Sequence, residues 1–409
     1  MGLKIPKISQ SLILLVIFVF AIFSGIIIHR ATWFVQDKHF SILAESFIKN
    51  DLFLSPYNLP PGDFADYQGR QYLFFGPLPS VILMPFVYIW GRNFPQIYLS
   101  FFSLVLTFIA IFQISKKLKF SSTDSLWLAN FFVFGTVLYF VGLIDISAYL
   151  PQAVGTAFMV LSILEYFTKR RFLLIGILIA AAGATRVTLF GITLFYLFEI
   201  FQNRKNHDFK KEVALLLIPV VFSLVLLGAY NLRRFHSPFD TGYTKNVTVL
   251  DKNYLNNQLG WFSPVHIPAN LYNLLLRGPD PVLRENVEMV LKFPYLKADG
   301  MGLAIWYTSP LFLYIIAIKR ASHTKSAVVG LVALAFPSLI YMGIGASQYG
   351  YRYSLDFIPL LFLILLPAFN KKLSTPAKAL IATGIVINCF YMLSIWNSYP
   401  LLTFWEYLK

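Results

Sequence analysis

The chain has 409 residues, of which 57% are hydrophobic and only 13% are charged. Soluble domains have about twice that charged fraction. Their surface-to-volume ratio also limits how much apolar surface they can bury. This composition therefore excludes an ordinary soluble domain and indicates a protein that crosses the membrane several times. The formal net charge of +15 does not indicate nucleic-acid binding, because many basic residues lie in short clusters between apolar runs, as the positive-inside rule predicts for membrane proteins.

The first predicted element is the apolar run from Ser11 to Ile28. It has 18 residues without a charge, which is long enough to cross a bilayer. Lys4 and Lys7 precede it, as they would in a signal peptide, but no small-residue cleavage site follows cleanly. We therefore expect a retained transmembrane helix.

The stretch 29–94 is predicted to be a first large outer loop. Its apolar residues between Phe40 and Ile48 recur at helical spacing, which favours an amphipathic helix lying on the membrane surface. The apolar run from Tyr72 to Trp90 contains three prolines, so a straight helix is not expected there. We predict a broken or half-inserted segment, which is tolerated only where protein or a watery cavity covers the backbone.

Further apolar runs bring the prediction to about eleven transmembrane helices. These runs lie at about 95–115, 124–143, 147–167, 172–184, 188–202, 213–230, 301–318, 327–346, 355–369 and 378–396. The connections with basic clusters all fall on one side, which predicts a cytoplasmic N-terminus, a C-terminus outside and a second large outer loop at 231–300. We therefore predict one all-α, multi-pass integral membrane domain over residues 1–409, in the plasma (inner) membrane.

Acidic residues concentrate in the two outer loops, and long connections on a membrane scaffold usually hold a site. Asp37 lies about nine residues beyond the first span and has aromatic neighbours. Burial near the lipid boundary raises the pKa of a carboxyl group and suits it to act as a general base. The alternative interpretation is that Asp37 caps the N-terminus of the helix that follows, a position that Asp favours.

A second acidic pair lies further along the first outer loop. Asp63 and Asp66 follow Pro-Pro-Gly, and they indicate either a metal or substrate site or simply a turn. Arg70 and Tyr72 come next in the chain. We regard Asp66, Arg70 and Tyr72 as candidate substrate-binding residues.

Arginine and tyrosine recur where predicted spans reach the outer boundary. Arg186 lies between two apolar stretches, and an arginine at such a depth usually faces a cavity or an anion. Phosphate is a natural anion for this position, because arginine can bind it through two hydrogen bonds. Arg233 and Tyr243 follow one span, and Arg352 and Tyr353 follow another. The pattern suits a lipid-phosphate pocket, but it also suits an aromatic belt with basic anchors, or a loop arginine that extends to the headgroups.

Several familiar motifs are absent from the sequence. It has no Gly-rich phosphate loop ending in Lys-Ser/Thr, no zinc-spaced histidine pair and no Gly-x-Ser-x-Gly, so an ATP-driven transporter is unsupported. The single cysteine, Cys389, excludes an internal disulfide and a cysteine-based metal site. A divalent cation held by carboxylates stays open, because their mutual distances are not given by the sequence.

Together these features resemble the GT-C superfamily of membrane glycosyltransferases, and within it the bacterial type of the protein mannosyltransferase and aminoarabinose transferase branch. Thr185-Arg186 after a Gly/Ala-rich helix resembles that branch's (L/A)TR motif. The segment Gly69–Pro85 resembles a run with the pattern G-x-x-Y…GP-x-P. The stretch from Tyr230 to Tyr243 and the pair Arg352-Tyr353 also resemble bacterial members.

The resemblance implies transfer of a sugar from a polyprenyl-phosphate donor, with inversion, to an acceptor glycan, lipid or protein at the outer face. The family's catalytic aspartate carries over to Asp37 as general base. Arg186 and Arg352, with Arg70 and Arg233 behind them, would stabilise the charge that develops on the leaving lipid phosphate.

Two other interpretations stay open. Many family members have Asp-Glu where this chain has Asp37-Lys38. This difference leaves the acceptor and any metal requirement undecided. It also keeps open a non-catalytic membrane protein of the same fold. A transporter or flippase of lipid-linked sugars would also explain the arginines, but such proteins usually have repeated halves, and no repeat is visible in the sequence.

Overall fold

The computed structural model describes residues 18, 21, 22, 25, 38–54, 63–204, 208–246, 255–284, 287–298, 300–318, 321–345 and 348–395. The candidate base Asp37 and most of the predicted first span, 11–28, lie outside these residues. Statements below about what is present or absent refer to the described part of the chain.

The chain folds mainly into helices. In chain order they are α1 (His39–Ile48), α2 (Leu78–Trp90), α3 (Ile97–Lys117), α4 (Ser122–Phe134), α5 (Leu138–Leu143), α6 (Leu150–Thr168), α7 (Phe172–Thr185), α8 (Thr193–Gln202), α9 (Phe209–Phe235), α10 (Ile267–Leu275), α11 (Ile305–Thr308), α12 (Thr324–Ile340), α13 (Ile358–Leu365) and α14 (Thr375–Ile395). Short 3-10 helices include Val187–Ile192, Tyr243–Lys245, Pro264–His266, Pro310–Ala317, Arg352–Asp356 and Leu366–Phe369, and a π-helical turn covers Leu255–Leu259.

Three small strand pairs accompany the helices, so the all-α prediction needs correction. The strands are β1 (Ala65–Tyr67), β2 (Arg70–Tyr72), β3 (Asp280–Arg284), β4 (Val287–Lys297), β5 (Met301–Leu303) and β6 (Gln348–Gly350). The pairs β1–β2 and β3–β4 are antiparallel, and β5–β6 is parallel. The β1–β2 hairpin turns at Gln68 and Gly69, whose positive φ values of 52° and 72° match the backbone twist that two-residue hairpins require.

The chain is a helical integral membrane protein. Among the described residues, α3, α6 and α9 have 21, 19 and 27 residues and are long and apolar enough to cross a bilayer. The apolar helices α2, α7 and α12 are shorter, as is the continuous stretch formed by the 3-10 helix Val187–Ile192 and α8. The number of eleven transmembrane helices therefore stays a prediction.

Two predicted spans are not single helices. The span 124–143 is divided, because α4 ends at Phe134 and α5 begins at Leu138. The prediction of one continuous helix over 301–318 was wrong. This stretch consists of β5, α11 and a 3-10 helix that begins at Pro310. Hydropathy alone misses the break in 301–318, because it does not register a strand pairing or the effect of a proline on the preceding turn.

The first outer loop has the helix that the sequence predicts between Phe40 and Ile48, since α1 covers His39–Ile48. Its apolar residues Phe40 and Leu43 are fully buried, and α1 packs on α2. The proline-containing run is extended up to Pro77 and then continues as α2, which contains a further proline inside it. A position of α1 on the membrane surface stays a prediction.

Helix packing brings the basic connections to one end of the bundle. Asp124 at the start of α4 pairs with Lys378 at the start of α14, at 2.9 Å. Tyr166 near the end of α6 and His323 before α12 both bond to Glu199 near the end of α8. We call this the basic end. The helices α7 and α12 begin here and run to the opposite end, where they meet the outer-loop segments.

Candidate functional site

Arg186 and Asp356 form a buried ion pair where α7 ends. The Nε of Arg186 donates to both carboxylate oxygens of Asp356, at 2.8 Å to Oδ1 and 2.9 Å to Oδ2, and Thr188 Oγ1 donates to Oδ2 at 2.7 Å. The Arg186 side chain is 13% exposed and that of Asp356 is 1% exposed. Burial acts to lower the pKa of Arg186, but the Asp356 carboxylate outweighs it and the pKa is raised. The guanidinium therefore stays charged.

The local backbone explains how Arg186 reaches this position. The helix α7 ends at Thr185, and Arg186 is extended, with φ −150° and ψ 113°, before the 3-10 helix Val187–Ile192 begins. Gly76 lies directly against this turn, because a Cβ atom there would collide with the backbone of Ala184 and Thr185. The absence of a side chain at Gly76 therefore lets the first outer loop contact the end of α7.

A cavity of about 520 Å³ opens beside the ion pair. Arg186 and Thr188 are among its polar lining residues, and Tyr243, Tyr341 and Tyr353 line it with other aromatic side chains. The guanidinium of Arg186 also lies 5.3 Å from the centre of the Tyr353 ring. Within the described chain, its two Nη groups have no hydrogen-bond acceptor, so they remain for a ligand in the cavity.

Arg352 lies next to this cavity. Its guanidinium stacks on the rings of Tyr353, at 4.9 Å, and Tyr149, at 5.3 Å. Its Nε is buried without a hydrogen-bond partner, and no carboxylate among the described residues pairs with it. Arg352 is therefore a second cation beside the cavity, and it lies between the cavity and the loop that leads into α6.

A chain of hydrogen bonds continues from that loop to the start of α1. Ser147 accepts a bond from Gln96 Nε2 at 3.5 Å, and Gln96 Oε1 accepts the backbone N–H of Phe40 at 3.1 Å. Lys38, which follows Asp37 in the sequence, donates from Nζ to Asn93 Oδ1 at 3.2 Å. Phe40 is thus connected through Gln96 to the loop that contacts Arg352, and Lys38 bonds to Asn93, three residues before Gln96.

The other predicted substrate-binding residues do not line the cavity. Asp66 and Arg70 are exposed on the β1–β2 hairpin, where Arg70 stacks on Phe53 at 4.6 Å. Tyr72 is buried, and its ring lies 5.2 Å from that of Phe235. Arg233 is exposed on α9. The structure therefore brings Arg186, Tyr243 and Tyr353 into one cavity with Arg352 beside it, and their roles in binding stay predictions.

Three polar residues that we did not select from the sequence are buried near these elements. Asp356 anchors Arg186, Asp145 is 7% exposed in the loop before α6, and Arg234 is 3% exposed. Arg234 donates to the Leu73 carbonyl at 2.7 Å and to Asn231 Oδ1 at 2.7 Å, so it attaches α9 to the first outer loop. Asp356 could have been identified from the sequence, because it is a lone acidic residue at the start of an apolar run.

The tyrosine hydroxyls at this end are neutral donors near pH 7. Burial raises the pKa of Tyr243 to about 12, although the nearby charge of Arg186 acts to lower it. Burial likewise raises the pKa of Tyr351, which donates to Asn270 Oδ1 at 2.9 Å. The cavity therefore presents protonated phenols beside a charged guanidinium. No group of three or more His, Cys, Asp or Glu side chains in the described ranges is arranged to hold a metal ion.

Two solved structures are among those to which the chain is similar. The chain is similar to ArnT from Cupriavidus metallidurans in the apo state, with 11% identity over 83% of this chain and 56% of that chain and a TM-score of 0.49. It is also similar to the archaeal oligosaccharyltransferase AglB from Archaeoglobus fulgidus, in complex with an inhibitory peptide and a dolichol-phosphate. This match has 12% identity, covers 99% of this chain and 52% of that chain, and has a TM-score of 0.36.

The chain spans about half the length of each of these two proteins. No protein-family model matches the sequence, and no curated protein matches it. Any function for the chain therefore has to rest on its own residues.

Proposed function

We propose that this protein is a membrane glycosyltransferase that moves a sugar from a polyprenyl-phosphate-linked donor to an acceptor at the outer face of the plasma membrane, with its N-terminus in the cytoplasm and its C-terminus outside. The observation that carries the proposal is the state of Arg186. It is charged and held through Nε by Asp356, and its Nη groups have no protein acceptor among the described residues beside a cavity of about 520 Å³. Such a guanidinium is suited to grip a phosphate bidentately.

The charge around the cavity supports a single phosphate group as the ligand. Asp356 neutralises one of the two cations Arg186 and Arg352, and Arg352 has no carboxylate partner in the described chain. These three side chains together leave one positive charge, which matches the single negative charge of a phosphate diester. A neutral phenol such as Tyr243 adds a hydrogen-bond donor without a further charge.

The remaining cavity surface supports a sugar and a prenyl chain as the neighbouring groups. Phe74, Phe75 and Tyr341 present rings on which a sugar face can stack. The helix α12 contributes Ala333 and Pro337, which offer apolar surface to the first isoprene units. A donor that joins a polar head to an apolar tail therefore matches the two kinds of surface in this cavity.

In the proposed reaction, Asp37 removes the proton from an acceptor hydroxyl. The oxygen attacks the anomeric carbon of the donor sugar with inversion, the bond from that carbon to the phosphate oxygen breaks, and the lipid phosphate leaves with the electron pair. Arg186 and Arg352 stabilise the charge that develops on this leaving group. The acceptor is a glycan, a lipid or a protein that presents a hydroxyl.

The test is transfer of labelled sugar by the purified protein in lipid nanodiscs, with a panel of short polyprenyl-phosphate sugars as donors. We expect the wild type to transfer sugar, Asp37→Asn to bind donor without transfer, and Arg186→Gln to lose both binding and transfer. Arg204→Gln is the matched control, because Arg204 is an exposed arginine at the basic end that stacks on Phe201. It should behave as the wild type does.

Two results would reject the proposal. Binding and transfer that survive in Arg186→Gln would remove the phosphate role of the cavity. Donor binding without transfer in the wild type, across the whole panel and with hydroxyl acceptors present, would favour a transporter of lipid-linked sugars or a non-catalytic protein of the same fold.

A further inference from the structure

A buried amide in the second outer loop bonds to two separate segments that border the cavity. Asn270 lies in α10 and is 0% exposed. Its Nδ2 donates to the backbone carbonyls of Leu339, at 3.1 Å, and Tyr341, at 2.9 Å, and also to that of His266 in the preceding turn, at 3.2 Å. Its Oδ1 accepts from the Tyr351 hydroxyl at 2.9 Å. Both polar atoms of the side chain therefore have partners.

The first of these segments is the end of α12. This helix ends at Ile340, and the last carbonyls of a helix have no acceptor role within the helix itself. Asn270 supplies a donor to the carbonyl of Leu339 in the last turn and to that of Tyr341 directly after it. Tyr341 lines the cavity. The second outer loop therefore fixes the backbone from which this ring projects.

The second segment begins with Tyr351. Arg352 and Tyr353 follow it directly in the chain, so a bond to the Tyr351 hydroxyl restrains the segment that carries the second cation of the cavity. The Tyr353 ring lies 5.7 Å from that of Tyr351 and 6.1 Å from that of Tyr341. Asn270 thus bonds to both segments at, or directly beside, residues that line the cavity.

A neighbouring tyrosine offers a comparison within the same segment. Tyr349 donates from its hydroxyl to Asn388 Oδ1 at 2.5 Å, and Asn388 is 0% exposed and donates to the Thr308 carbonyl at 2.6 Å. Tyr349, Asn388 and Thr308 are not among the described residues that line the cavity. The bonds of Tyr349 and Tyr351 are therefore alike in chemistry and burial, but only that of Tyr351 continues to a cavity-lining residue.

We infer that Asn270 is a positioning residue for the donor site, which fixes Tyr341 relative to Arg352 before the ligand enters. The inference rests on the proposed function for the identity of that ligand. Asn270 is suited to this role because an amide both donates and accepts, so one side chain bonds to backbone carbonyls and to a phenol. Groups that are ordered in advance lose less freedom when a ligand binds, so loss of this link should weaken donor binding.

The test is donor binding to the full chain in nanodiscs, with a short polyprenyl-phosphate sugar as the probe and a thermal unfolding curve for each variant. Tyr351→Phe removes the bond to Asn270, and Tyr349→Phe removes the matching bond to Asn388. We expect similar losses of melting temperature in the two variants. Only Tyr351→Phe should weaken donor binding, by about fivefold to tenfold, the factor that corresponds to one ordinary hydrogen bond.

A second pair of variants removes the amides themselves. Asn270→Ala should weaken donor binding at least as much as Tyr351→Phe, because it also removes the bonds to the end of α12. Asn388→Ala is the matched control, and it should bind donor as the wild type does. If Asn270→Ala does not fold, the comparison of the two tyrosine variants still decides the question.

Hydrogen–deuterium exchange without ligand gives a readout that does not depend on the donor. The backbone N–H groups of Ser263 and Met342 form bonds between the second outer loop and the residues on either side of Tyr341, at 2.7 Å and 3.0 Å. Exchange at these two amides should be faster in Asn270→Ala than in the wild type, because the chain beside Tyr341 is released. In Asn388→Ala it should stay at the wild-type rate.

Two results would overturn the inference. Donor binding that falls equally in Tyr351→Phe and Tyr349→Phe would show a general loss of stability, and donor binding that is unchanged in Tyr351→Phe would show that the link has no effect on the site. A wild type that binds no donor would reject the proposed function instead. The exchange measurement then decides alone: faster exchange in Asn270→Ala but not in Asn388→Ala supports the positioning role, and any other pattern rejects it.

Discussion

Arg186 is fixed through one nitrogen and leaves the other two for a ligand. The bonds from Nε to both oxygens of Asp356 fix the plane of the guanidinium, and the bond from Thr188 fixes the carboxylate in turn. A cation that is oriented before the ligand arrives does not lose freedom when it binds. This is the physical reason to regard Asp356 as a positioning residue for Arg186.

Asp356→Asn should destabilise the protein by about 3 kcal/mol, near the low end for breaking a buried ion pair, because the cavity lets water reach the freed guanidinium. The measurement is a thermal or denaturant unfolding curve in detergent. Asp240→Asn is the control, since the pair of Asp240 with Lys245 is partly exposed, at 25% and 23%. An exposed pair contributes about 1 kcal/mol or less. Equal losses in the two variants would contradict the buried role of Asp356.

Tyr243 gives a prediction about alkaline pH. Burial raises its pKa to about 12 from the ordinary tyrosine value of 10.0, so the folded state disfavours the phenolate that the unfolded chain forms more readily. The stabilising contribution is fully present below about pH 10 and is lost as the pH rises toward about 12. The melting temperature of the wild type should therefore fall more steeply over this range than that of Tyr243→Phe. Parallel curves would show that the Tyr243 hydroxyl is not buried in this way.

The arginines also show the limits of prediction at this scale. Arg186 could be selected from the sequence because it interrupts an apolar run, but its partner Asp356 is 170 positions away, and no spacing rule connects them. Arg233 and its neighbour Arg234 could not be distinguished, since adjacent helical residues point about 100° apart and the phase of α9 comes from packing. The structure exposes Arg233 and buries Arg234.

At the scale of elements, close backbone contacts decide where the site lies. Gly76 lets the first outer loop touch the end of α7, and Arg186 follows that end directly. The sequence shows Gly76-Pro77, which predicts a break in the apolar run, but it does not show what the break contacts. The strand β5, similarly, forms because Leu303 is opposite Gly350, a pairing that local hydropathy does not reveal.

Gly76→Ala should displace the first outer loop from α7, lower sugar transfer at least tenfold and destabilise the fold by roughly 1–3 kcal/mol, as for other overpacked sites. Transfer assays and unfolding curves measure the two effects. Gly228→Ala in α9 is the control, because its Cβ would contact only Pro238, at 3.5 Å. Alanine there should be neutral or stabilise the helix by about 0.5–1 kcal/mol. Unchanged transfer in Gly76→Ala would contradict the contact.

At the scale of the whole molecule, the basic end and the cavity lie at opposite ends of the helices that connect them. Such a division can be predicted from the sequence, because the length of apolar runs and the position of basic connections are local properties of the chain. The number of eleven spans stays a prediction, because apolar helices such as α7 and α12 are shorter than a full span.

The proposed orientation makes a prediction about labelling in intact cells. Lys292→Cys on β4 should react with a membrane-impermeant maleimide from outside, and Lys210→Cys at the start of α9 should react only after the cells are opened. Both lysines are exposed, and the native Cys389 is buried, so labelling reports the introduced cysteines. The opposite labelling pattern would reverse the proposed orientation of the cavity.

The most direct test of the central claim is a cryo-electron microscopy structure of the protein in nanodiscs with a bound polyprenyl-phosphate sugar. We predict phosphate density within hydrogen-bond distance, about 3 Å, of the Arg186 Nη groups, between Tyr243 and Tyr353, with Arg352 close by. Donor density elsewhere, with the Arg186 cavity empty, would contradict the claim that this cavity holds the donor phosphate.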